Sequence, residues 1–86
     1  MKNEIVRYAM CKVSSNVYGL TEGRYYVIVD EYRDIDKPED SYVYLRNDGG
    51  RNVNVNKNRF TDIQQAGIRF VRNLINDKSK NRLVVV

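Results

Sequence analysis

The segment Leu20-Thr-Glu-Gly-Arg-Tyr-Tyr-Val27 is followed downstream by Tyr42-Val-Tyr-Leu-Arg-Asn-Asp-Gly-Gly50, and then by Val53, Val55 and Arg59-Phe60. In these pieces β-branched and aromatic residues alternate with polar ones, and glycine or Asn/Asp chemistry separates them, which is how strands joined by tight turns read. Asp48-Gly49 is among the strongest short hairpin signals. It suits a type I′ turn, whose two central residues need positive φ, and the extra Gly50 predicts a bulge beside it. Val53 and Val55 alternate with Asn52, Asn54 and Asn56, so this strand has one buried and one wet face. The expectation is a very small antiparallel β-barrel.

The remaining segments add to this frame. Ile5 to Val13 reads as a first strand, with Ile5, Arg7, Ala9, Cys11 and Val13 on one side and Val6, Tyr8, Met10 and Lys12 on the other. Ser14 to Leu20 has the content of an irregular loop. Arg24 to Tyr32 is apolar on both faces for most of its length, and such a strand needs cover on both sides. Asp34 to Ser41 holds the single proline and reads as a loop between strands. Thr61 suits a helix N-cap, with Asp62 in the first turn and Gln64 at the capping-box position. Ile63, Ala66, Gly67, Phe70, Val71 and Leu74 then follow the spacing of one helix face. The prediction is therefore a single domain over 1–86: a barrel over 1–60, a helix over 61–77, and a tail or short strand over 78–86 containing Leu83 to Val86.

At 86 residues only one core is possible, burying about 60–65 % of the unfolded surface. No apolar run reaches the length of a signal-peptide core or a membrane span, so no membrane partner is expected and a cytoplasmic location is. Cys11 is the only cysteine and reads as a small buried apolar residue of the first strand. The chain has no histidine, which excludes His-based triads, His metal sites and His acid–base chemistry. Neither a P-loop nor a dinucleotide fingerprint is present. The acidic stretch Asp30, Glu31, Asp34, Asp36, Glu39 and Asp40 lacks the EF-hand pattern and reads as a solvated loop. No enzyme activity, metal or cofactor is expected.

The sequence resembles small phage and bacterial SH3-like barrel proteins of mobile-element origin. The resemblance rests on Cys11, on Leu20-Thr21, Gly23-Arg24, Tyr26 and Ile28, on Asn47-Asp48 and Gly50, and on Arg59-Phe60. It spans roughly residues 6 to 62. It implies a mainly β fold of four or five antiparallel strands with Tyr26, Ile28, Val43, Leu45, Val53, Val55 and Phe60 inside, followed here by a C-terminal helix. It implies an accessory protein of a mobile element more than any reaction, acting in the host cytosol if phage-encoded.

Two surfaces remain for binding. On the outer face of the sheet, Tyr25, Val27, Tyr42 and Tyr44 alternate with core residues, and Arg24, Arg46 and Arg51 lie nearby in sequence. Aromatics ringed by arginines can stack bases while neutralising phosphates, yet the same tyrosines become ordinary core if the helix covers that face. The second surface is basic: residues 1–60 hold ten Lys and Arg against nine acids, residues 61–86 five against two, with Arg69 and Arg72 one helical turn apart. The expected function is stoichiometric binding to a host protein or complex, for example as an inhibitor of a defence or regulatory system. Nucleic-acid binding through Tyr25, Tyr42, Tyr44, Arg24, Arg46, Arg69 and Arg72 is the alternative. A third is homodimer or larger assembly formation through the helix or the C-terminal strand.

Overall fold

The computed structural model describes residues 4–76. Five strands form one antiparallel sheet: β1 (Ile5–Met10), β2 (Tyr25–Tyr32), β3 (Tyr42–Arg46), β4 (Asn52–Asn56) and β5 (Gln64–Gly67), in the order β4-β3-β2-β1-β5. A single helix, α1 (Ile68–Asn76), ends the described chain, and short 3-10 turns occupy Pro38–Asp40 and Lys57–Arg59. The predicted mainly β architecture with one C-terminal helix is thus present. Closure is not: β4 and β5 are the two edges, and no pairing joins them among the described residues.

Alternation sets the burial. In β3 Val43 and Leu45 are fully buried while Tyr42, Tyr44 and Arg46 face out, and in β4 Val55 is buried between exposed and half-buried asparagines. These residues join Ala9, Cys11, Leu20, Tyr26, Ile28 and Phe60 in one core, with Val53 and Ile63 packed at its margin. The residues expected inside are therefore inside, Val53 only partly. Phe60 enters through a bridge to Cys11, beside a 2.7 Å bond from the Lys12 amide to the Arg59 carbonyl, which ties the chain after β4 to the end of β1.

The β3–β4 turn departs from the expected type. The Gly50 amide donates to the Asn47 carbonyl across Asp48 and Gly49, neither of which has positive φ, and only Gly50 does, at +82°. The left-handed residue therefore follows the turn instead of lying within it, as in a three-residue hairpin with a bulge. The bulge suggested by Gly50 is present, and the type I′ turn is not.

The largest correction concerns residues 61–67. These residues were expected in a helix, but Gln64–Gly67 instead pairs with β1, Tyr8 opposite Gln64 and Ile5 opposite Gly67. Thr61 does not cap a helix; its hydroxyl accepts from the Met10 amide at 3.1 Å and its own amide donates to the Met10 carbonyl. The physical reason is the unpaired edge of β1, whose backbone groups gain ladder partners from β5. The helix begins only at Ile68, whose amide donates to the Glu4 carbonyl at 2.7 Å. The fifth strand is thus Gln64–Gly67, and the strand expected at Leu83–Val86 lies outside the described residues, as do the last residue of the predicted helix and the 78–86 tail.

Helix α1 packs on β1, β2 and β5, on the face away from the main core. Val71 is fully buried there. The Tyr8 ring lies 5.9 Å from that of Tyr25 and 6.4 Å from that of Phe70, making a second, aromatic cluster. A nine-residue helix is marginal in isolation, so this packing is what holds it. The two-sided cover that β2 required is supplied by the core beneath and the helix above.

Candidate binding face

The outer face of β2, β3 and β4 is built by register. Tyr42 lies opposite Tyr32 on one side and Asn56 on the other, Tyr44 opposite Asp30 and Asn54, and Arg46 opposite Asn52. Strict alternation from Tyr26 and Ile28, both buried, would send Tyr32 inward. A register shift between Ile28 and Asp30 inserts Val29 as a bulge and inverts the parity beyond it. Val29 and Asp30 both face out, Glu31 turns in, and Tyr32 joins the exposed tyrosines at 60 % exposure.

The helix covers half of the tyrosine face. Tyr25 is half-buried within the aromatic cluster under α1, whereas Tyr42 and Tyr44 stay open at 36 % and 39 %. The arginines also separate. Arg24 donates to the Asp48 carboxylate at 3.3 Å, Arg46 and Arg51 are exposed without a side-chain partner among the described residues, and Arg69 and Arg72 are exposed on α1. The structure thus brings Tyr42, Tyr44 and Arg46 onto one face with Tyr32, sets Tyr25 at its covered margin, and leaves the helical arginines outside the groove described next.

That groove, of about 360 Å³, opens between the last described turn of α1 and strands β2 and β3. Tyr25, Val27, Val29 and Ile75 supply its apolar lining, and Arg24 and Arg46 its cations. Beside it lies a shallower hollow of about 300 Å³ lined by Asp30, Tyr32, Tyr44 and Asn54 among others.

Two polar knots hold this face, and neither is legible in the sequence. Asp48 accepts from the Thr21 hydroxyl at 2.6 Å, the Tyr26 phenol at 2.7 Å and Arg24, while the same phenol accepts from the Thr21 amide at 2.8 Å. Burial pushes the Asp48 carboxyl upward, but these donors outweigh it and hold the pKa below the usual value of 3.8. Burial and the bond to Asp48 push the Tyr26 phenol up to about 12. Asn47 completes the clasp: its side-chain amide donates to the Tyr18 carbonyl, and its oxygen accepts from the Gly49 and Arg51 amides.

The second knot is Glu31, whose side chain is only 5 % exposed and which bonds Arg7 of β1 at 3.1 Å, Arg33 at 3.1 Å and Lys57 of the second 3-10 turn at 3.0 Å. Burial opposes its charge, yet Lys57 and Arg33 prevail and its pKa lies below the ordinary value. The acidic stretch is accordingly dispersed. Glu31 is inside, Asp34 accepts from the Asp36 and Lys37 amides, and no group of three or more His, Cys, Asp or Glu residues is placed to hold a metal among the described residues. Cys11 is fully buried as expected; burial raises its pKa, and its thiol donates to the Val13 carbonyl at 3.1 Å.

Fold and face together define a small, mainly β domain, a five-stranded antiparallel sheet with one C-terminal helix that leaves half of one sheet face uncovered. No described helix is long and apolar enough to cross a membrane. The chain matches no known family model, no curated protein and no solved structure.

Proposed function

We propose that the chain is a non-enzymatic accessory binding protein of the phage type, on an SH3-like frame opened along one seam, acting in the host cytosol by stoichiometric binding to a host protein or complex such as a defence or regulatory system. The observation that carries the binding reading is the row Tyr32, Tyr42 and Tyr44, exposed on a sheet whose other half is covered by α1. Tyrosine presents a large amphipathic surface at little conformational cost, and it is enriched where binding energy concentrates. The SH3-like frame is supported by the sequence resemblance, by β1 lying between β2 and β5, and by the Phe60–Cys11 bridge.

Nucleic-acid binding at this face is the weaker reading. Asp30 stands opposite Tyr44, and Arg24 is engaged by Asp48, so few cations are left to offset successive phosphates. The test is capture from host lysate with and without nuclease, comparing wild type with the Tyr42→Ala, Tyr44→Ala double variant. The expected result is a discrete protein recovered stoichiometrically, insensitive to nuclease and lost in the variant. Nuclease-sensitive recovery, or turnover of a substrate by the pure protein, overturns the proposal.

A further inference from the structure

We infer that the groove between the last described turn of α1 and strands β2–β3 takes an acidic peptide segment carrying an apolar side chain; this rests on the protein-binding reading above and names the chemistry of the partner. The apolar part is argued from Val29. Val29 faces out on the same side of β2 as Val27, ahead of the point where the bulge inverts the parity, and at 59 % exposure it lines the groove together with Val27 and Ile75. An aliphatic or aromatic side chain entering here removes that surface from water. The volume, about 360 Å³, lies at the low end of the roughly 300–1,000 Å³ typical of ligand pockets, which suits a short segment and not a whole helix.

The acidic part is argued from charge. Asp48 lines the groove, but its carboxylate is already engaged by Thr21, Tyr26 and Arg24. Arg24 spends one nitrogen on that contact and its side chain remains 47 % exposed. Arg46 has no side-chain partner among the described residues, so its planar fork of donors is open to a carboxylate. The unspent charge of the groove is therefore positive. A nucleic-acid strand fits less well, because the lining beside Tyr25 is aliphatic and Arg46 is the one lining cation without a partner, whereas strand binding needs stacking platforms and a track of cations.

The experiment is fluorescence anisotropy of the full chain with a labelled Glu-Glu-Leu-Phe-Glu-Glu peptide, its lysine-for-glutamate counterpart, and an oligothymidine. Saturable binding of the acidic peptide alone is expected, weakened about tenfold or more, the scale of one charge-assisted contact, by Arg46→Glu and by Val29→Asp. Lys37→Glu, an exposed cation outside the groove and the tyrosine face, should change it less than about twofold. Both groove positions are exposed, and circular dichroism confirms that each variant folds. The inference is overturned by absence of acidic-peptide binding at millimolar concentration, by equal loss in Lys37→Glu, by preference for oligothymidine, or by nuclear Overhauser contacts placing residues 83–86 or a second copy in the groove. Host-protein capture that survives Arg46→Glu overturns the groove alone, whereas Arg46-dependent peptide binding without any host-protein capture overturns the broader reading alone.

Discussion

Two glycines with left-handed backbones separate the cost of conformation from the cost of contact. Gly19 has φ +70°, and a Cβ there would come 2.6 Å from the Asn47 side-chain nitrogen; Gly23 has φ +88° and open space around it. Gly23→Ala should cost about 1–2 kcal/mol for the backbone alone, and Gly19→Ala more, because Asn47 is fastened to Tyr18, Gly49 and Arg51 and cannot withdraw freely. Urea denaturation of both variants measures the difference, and equal losses would show that the clasp yields. Asp48→Ala removes the acceptor of the Thr21 hydroxyl and the nearly buried Tyr26 phenol, and should cost about 1–3 kcal/mol, read as a fall in Tm. The bonds to Asp48 join residues that are 22 to 27 apart in the chain. Asp48 therefore reads locally as an ordinary turn residue, and only its neighbours in space reveal its second role.

At the scale of elements, β5 tests how pairing overrides local preference. If Thr61 capped a helix, Thr61→Val would lower helicity. Because it accepts instead from the Met10 amide, the variant should keep its ellipticity at 222 nm and lose about 1–3 kcal/mol of stability through the unsatisfied amide. Val71→Ala should act in the opposite sense on the two observables. It removes the one fully buried side chain among the described residues of α1, and α1 amides should then exchange hydrogen markedly faster while those of β3 keep their protection, as expected when a local unit opens by itself. Strands β3 and β4 were legible to within a residue or two because their alternation is tied to burial, and β2 because β-branched and aromatic residues run along most of its length. The helix start was not, since Ile63, Ala66 and Gly67 meet a helical spacing equally well, and the free edge of β1, far away in sequence, decided between the two.

The whole molecule should show a stability plateau with two limbs. Glu31 and Asp48 have folded-state pKa values below their ordinary 4.5 and 3.8, so the unfolded chain binds more protons in acid. The stability they contribute is full above those ordinary values and is lost as pH falls through the lower folded ones. Tyr26, raised from 10 to about 12, contributes stability that is full below 10 and lost as pH rises toward about 12. Urea midpoints measured across pH check both limbs: Glu31→Gln should flatten the acid limb, Tyr26→Phe should flatten the alkaline one, to which the raised Cys11 thiol also contributes, and an unchanged profile in either variant refutes its assignment. The amino-acid sequence by itself determined the β-rich class, the core of β2 to β4, the burial of Cys11 and the placement of Tyr42 and Tyr44 on the outer face, because period-two alternation and turn chemistry act between residues close along the chain. The tertiary structure alone decided the rest: β5 in place of a longer helix, the open sheet edges, the inward Glu31 and outward Tyr32 beyond the Val29 bulge, and the half-cover of the tyrosine face by α1. Those outcomes turn on backbone pairing and packing between distant segments, where one inserted residue inverts every later side chain.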